Sequence, residues 1–175
     1  MQNNLYICIC LTVLLGTCFA AEPEGPLPPV IEIHPGWSRD EPMLGFGWSW
    51  REKFGRGMVR WISHMEADVF FELGKEESLG LELVAAPLYL SWQRQNIGVY
   101  INGAFVHEWI CPDSPDFATY RTRISDRYLR KGRNTLTLRM GYRHRMPPDE
   151  RELSLIVDSI TLEALPDPSD PPEIP

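Results

Sequence analysis

Ala67, Val69, Phe71 and Leu73 alternate with Asp68, Phe70 and Glu72, and Leu79, Leu81 and Leu83 alternate with Gly80, Glu82 and Val84. A period of two places one set of side chains on a buried face and the other in water, which predicts strands of a sheet with one wet side. Between Ile97 and Ile110 two alternating apolar runs flank Asn102-Gly103. That dipeptide supplies the positive φ angles of a tight turn, so the segment predicts a β-hairpin. A two-residue turn would put Ile97, Val99, Ile101, Ala104 and Val106 on one face and Tyr100, Phe105, His107 and Trp109 on the other. A bulged turn would shift the return strand by one, and the pattern alone leaves both registers open.

Further strands are expected at Val30 to His34, Met58 to Ser63, Ala118 to Ile124, Thr135 to Met140 and Leu153 to Leu162. In the last, the apolar parity changes at Asp158-Ser159, the mark of a bulge. Trp37 to Met43 and Cys111 to Asp116 read as loops, and Arg143 to Glu150 as a polar excursion around Pro147-Pro148. No segment sustains helical periodicity, although Ser125 to Leu129 has room for one turn. Roughly eight to ten short strands with frequent turn signals imply a β-sandwich or barrel.

The densest aromatic stretch is Gly45 to Trp61. If extended, it sets Phe46, Trp48 and Trp50 on one face and Gly45, Gly47, Ser49 and Arg51 on the other. Glu52 is separated from Arg60-Trp61 by a glycine-broken loop that would let it pair with Arg56 or Arg60.

Residues 1–20 have the form of a signal peptide, with an apolar run from Leu5 to Phe19, although Met1-Gln2-Asn3-Asn4 carries no Lys or Arg. Cleavage near Ala20, lipid attachment at Cys18 in Leu15-Gly16-Thr17-Cys18, and an uncleaved anchor all remain open; each implies an extracytoplasmic protein, secreted, periplasmic or in the cell envelope. Residues 21–43 form a Pro-rich spacer with a candidate first strand, 44–164 the sandwich domain, and 165–175 a Pro/Asp tail expected to be disordered. Of four cysteines only Cys111 lies in the domain, so stability must come from the core.

The net charge of −7 is a property of the tails: residues 22–43 hold five acids and one base, residues 165–175 three acids, and the segment between sixteen of each. A near-neutral domain argues against a nucleic-acid partner. Fourteen of the seventeen bases are Arg, which suits planar hydrogen bonding to carboxylates, carbonyls or sugar hydroxyls.

In order, Gly47-Trp48 with Glu52, Arg60-Trp61, Ala67 to Leu73, Val99 to Gly103, Leu129 to Leu138 and Asp149 to Leu162 resemble the carbohydrate-binding-like jelly-roll modules attached to bacterial envelope glycosyltransferases and sulfatase-type enzymes. The resemblance covers about residues 45 to 163. It implies an all-β chain, a single antiparallel β-sandwich of jelly-roll or galactose-binding-like type, and loosely implies glycan recognition. Unlike those proteins, this chain has no large catalytic domain beside the module.

No residue pattern marks catalysis. Glu52 with Glu66 or Asp68 is the nearest carboxylate pair, and the four His lie in no ligand motif, so neither metal nor cofactor is expected. Sugar binding needs exposed aromatic faces beside planar polar groups. The candidates are Trp50, Glu52, Arg60, Trp92, Arg94 and Trp109, with Trp48, Trp61 and Trp109 also suited to a core. Trp92, polar on both sides in Ser91 to Gln95, is the favoured exposed aromatic. Glu52 with Arg60 and Asp149 with Arg151 read first as ion pairs that fix loops. The expected role is a non-catalytic module for a glycan or partner protein. The alternatives are a small glycan hydrolase using Glu52 with a second acid, and a purely structural envelope protein with every Trp buried.

Overall fold

A computed structural model describes residues 30–55 and 57–166. The leader with Cys18, residues 21–29 of the spacer, Arg56 and residues 167–175 of the tail lie outside the described residues, and so do the expectations that fall on them.

The chain forms two antiparallel sheets. The first contains β1 (Val30–Ile33), β2 (Trp48–Phe54), β3 (Gly57–Ile62), β5 (Leu79–Pro87), β8 (Ala118–Ile124) and β12 (Leu155–Ala164), and the second β4 (Glu66–Leu73), β6 (Asn96–Ile101), β7 (Ala104–Ile110) and β9 (Gly132–Met140). Their orders are β2-β3-β12-β5-β8 and β4-β9-β6-β7, with β1 paired to β12. A short hairpin of β10 (His144–Arg145) and β11 (Glu152–Leu153) rises within the polar excursion. Two short 3-10 helices, Ser38–Met43 and Asp126–Tyr128, complete the described elements. The architecture is a single antiparallel β-sandwich of jelly-roll type.

Alternation delivers the core as the pattern predicts. Ala67, Val69 and Phe71 from one sheet meet Leu79, Leu81, Leu83, Leu155 and Leu162 from the other, all buried in one cluster. Burying the Val, Leu and Phe side chains among them stabilises by about 1.5–3 kcal/mol each. The register of β12 against β5 shifts between Val157 and Ser159, as the parity change at Asp158 implies. The bulge keeps both Val157 and Ile160 facing inward.

The Asn102-Gly103 turn is a two-residue turn with φ of 51° and 85°. A second irregularity, at Val99/Tyr100 against the return strand, has no counterpart in the sequence pattern. Past it His107 and Trp109 pair with Val99 and Ile97, so Trp109 turns inward. Asn134, wholly buried, ties this hairpin to the preceding loop: its amide donates to the Arg130 and Gly132 carbonyls, and its Oδ1 accepts from Asn102 and the Arg130 N–H.

The aromatic stretch departs from its expected form. Gly47 has a φ of 94°, and a Cβ there would overlap the Glu66 carbonyl. Phe46 bonds along β4 instead of continuing β2, and the β2–β3 register shifts between Trp48 and Arg51. The three aromatics therefore do not share a face: Trp48 packs on the core while Phe46 and Trp50 stand in solvent.

Candidate functional site

One end of the sandwich gathers residues 88–95, 111–117 and 141–154. Gln95, only 1 % exposed, holds this end together. Its amide nitrogen donates to the carbonyls of Tyr142 (2.8 Å) and Ser154 (3.3 Å), and its Oε1 accepts from the N–H groups of Gly141 (2.9 Å) and Tyr142 (3.1 Å). One buried amide thus satisfies backbone groups on both legs of the β10–β11 hairpin, groups that would otherwise be costly to bury. Tyr142 adds a bond from its hydroxyl to the Leu88 carbonyl (2.5 Å), and Ser154 bonds the Ile62 carbonyl. A Cβ on Gly141 would overlap Asn96 Oδ1, so a larger residue there would have to displace that side chain.

The hairpin so fixed touches the two most exposed tryptophans. Trp92, 72 % exposed, meets His144 edge-on with ring centroids 6.3 Å apart. Trp50, 63 % exposed, has the Arg151 guanidinium over one face at 4.2 Å. Arg151 also bonds Glu52, Ser49 (3.2 Å) and both oxygens of Asp149 (3.0 and 3.1 Å from Nε). The Arg151 hydrogen bonds hold the Asp149 carboxyl down at about 2. The same partners raise the guanidinium above its ordinary value. Beside Trp92, Arg94 lies 3.9 Å from Asp113, whose negative charge, aided by some burial and a hydrogen bond, pushes the Tyr89 phenol up.

These contacts assign the residues singled out from sequence. Trp50 and Glu52 come together, and Trp92 and Arg94 share the neighbouring loop. Arg60 does not join them. It pairs with Arg51 across the β2–β3 ladder while Glu52 pairs with Val59, so Glu52 and Arg60 project to opposite faces. Arg60 is 7 % exposed and bonds Glu41 (3.2 Å). Trp109 is also placed elsewhere, at 8 % exposure in the core with its indole N–H on the Arg121 carbonyl (3.2 Å). The bulge in the return strand is what turned it inward. Asp149 with Arg151 forms the ion pair the spacing implies, but its further links to Trp50, Glu52 and Ser49 are tertiary. Gln95 carried no signal beyond lying in a polar stretch.

Glu52 meets neither Glu66 nor Asp68. Glu66 pairs with Arg139 and Asp68 accepts from Thr137 Oγ1, both on β4 of the other sheet from Glu52. Glu52 and Asp149 share one guanidinium, and Asp149 is shifted down, opposite to the direction a general acid requires. Among the described residues no group of three or more His, Cys, Asp or Glu converges as metal ligands would. Cys111 is buried, and burial raises its thiol pKa, which suits an inert packing residue.

No protein-family model matches the sequence, and no curated protein matches it. Solved structures do. A GH26-CBM35 β-(1,4)-mannanase from Podospora anserina superposes over 83 % of this chain and 29 % of its own, with a TM-score of 0.52 at 16 % identity. This chain thus spans under a third of that enzyme. A family 35 carbohydrate binding module from Clostridium thermocellum matches over 78 % of this chain and 99 % of its own, with a TM-score of 0.51 at 8 % identity. The C-terminal CBM6 of a marine laminarinase from Zobellia galactanivorans matches over 77 % and 99 %, with a TM-score of 0.51 at 10 % identity. The chain has the fold of these carbohydrate-binding-module β-sandwiches. At such identities the likeness concerns the fold, and the residues that serve as a site must be taken from this chain's own geometry.

Proposed function

We propose that this chain is an extracytoplasmic, non-catalytic binding module that holds a glycan at the loop end built around the β10–β11 hairpin. The observation that carries this reading is the exposure of Trp92 and Trp50, each against a residue of the excursion that Gln95 anchors. Indole faces left in water on a fixed scaffold suit stacking on the C–H faces of sugar rings, and Arg94, Asp113, Glu52 and Asp149 stand nearby to meet hydroxyls. The fold shared with carbohydrate binding modules supports the same reading. The apolar run from Leu5 to Phe19 supports an extracytoplasmic location. Attachment to a larger envelope enzyme, as the sequence resemblance implies, belongs to this proposal. So does the division into a signal peptide at 1–20, a Pro-rich spacer with the first strand at 21–43, the sandwich domain at 44–164 and a tail at 165–175.

The test is calorimetric titration of the exported protein with oligosaccharides from mannan, xylan and β-1,3-glucan, paired with tryptophan emission. Binding with an emission shift that Trp92→Ala abolishes supports the reading. Release of reducing ends that Glu52→Gln abolishes would instead favour the hydrolase. The third reading required every Trp to be buried, and the exposure of Trp50 and Trp92 removes that premise.

A further inference from the structure

A trough of about 370 Å³ crosses the outer face of the first sheet, away from the loop end. Its floor is Gly80. The ladders set the outward residues in two rows across β8, β5 and β12: Arg121, Glu82 and Thr161 in one, and Arg123, Gly80 and Glu163 in the next. In the first row Arg121 closes on Glu82 at 2.6 Å and leaves no gap. In the second the central residue is Gly80, so no side chain of that row stands between Arg123 and Glu163. They are two strand spacings, about 10 Å, apart at their backbones. Both are exposed, and among the described residues neither has an ion-pair partner. Leu165 closes one side, its Cδ2 3.4 Å from where a Cβ on Gly80 would stand.

We propose that this trough is a second sugar subsite, separate from the tryptophan-bearing end, which takes one neutral pyranose ring over Gly80 between the Arg123 guanidinium and the Glu163 carboxylate. A donor-only group on one side and an acceptor-only group on the other match the amphoteric hydroxyls of a sugar. The strands that carry the donor and the acceptor flank Gly80, so a ring resting on it can take one hydrogen bond of about 2.8 Å from each side. The bare backbone of Gly80 and the Leu165 methyls give the apolar face of the ring a place to rest. The ring has no aromatic beneath it, so binding is weak. Its value is avidity for a polysaccharide also held at the loop end.

The test uses methyl glycosides of glucose, mannose, galactose and xylose at millimolar concentration, with backbone amide shifts recorded by NMR on the full chain. At least one glycoside is expected to move the amides of Gly80, Arg123 and Glu163. Gly80→Val fills the trough, and Arg123→Ala and Glu163→Gln each weaken binding about tenfold, the equivalent of one charge-assisted hydrogen bond. Trp92→Ala leaves these shifts intact, which separates this site from the one proposed above. Should Gly80→Val fail to fold, the two exposed variants carry the test. Shifts that persist in all three trough variants, or trough amides that stay still with every glycoside, overturn the proposal whether or not the loop end binds.

Discussion

Arg151 covers one face of Trp50, its guanidinium carbon 4.2 Å from the ring centroid, and joins that exposed indole to Glu52 and Asp149. The contact draws the edge strand β2 to the excursion ahead of β12. It leaves much of the indole in water and fixes the ring's tilt, since the guanidinium is itself held by two carboxylates and a hydroxyl.

Arg151→Ala should therefore loosen the platform more than the fold. The expected result is a fall of a few degrees in Tm, greater access of Trp50 to acrylamide, and weaker glycan binding. Arg151→Lys keeps the charge but loses the planar fork, and should recover only part of each. An unchanged quenching constant in Arg151→Ala would show that the stacking does not order Trp50.

Acid should release this network in a defined window. Asp149 is lowered from 3.8 to about 2, mainly by the hydrogen bonds from Arg151. A depressed carboxylate stabilises the folded state above its unfolded value, and that contribution is lost as pH falls from about 4 through about 2. Carboxyl NMR should show Asp149 titrating near the lower bound, and in Arg151→Ala its midpoint should rise toward 3.8.

Gln95→Leu removes the amide that serves four backbone groups on the two hairpin legs. Leaving buried donors and acceptors unpaired should cost about 2–4 kcal/mol in urea unfolding. Faster hydrogen exchange is expected at the Gly141 and Tyr142 amides, with the core amides of β5 and β12 unchanged in rank. Exchange that rises uniformly would contradict a local anchoring role.

Trp92 and Trp109, both sequence candidates for a binding aromatic, should behave oppositely. Trp92→Ala should leave Tm within about a degree and abolish the emission shift on glycan addition, because a solvated side chain contributes little to folding. Trp109→Ala should cost about 3–5 kcal/mol by opening a cavity beside Tyr120, while the fraction that folds still binds. A stability loss in Trp92→Ala matching that of Trp109→Ala would erase the distinction.

Sequence alone determined the layers of this protein. Alternation at Ala67 to Leu73 and Leu79 to Leu83, the Asn102-Gly103 turn and the parity change at Asp158 are local signals, and the structure carries each of them into the corresponding strand, turn or bulge. The exposure of Trp92 was legible too, since Ser91 to Gln95 is a short polar run that lacks the apolar alternation of a strand, and the ring stands in solvent. Only the tertiary structure decided which way Trp109 faces, because one bulged residue in the return strand reverses the parity of everything after it. Only it brought Arg151 to Trp50 and Glu52, and set Gln95 beneath both legs of a hairpin. Such contacts depend on which loops share an end of the sandwich, and a pattern of period two holds no information about that.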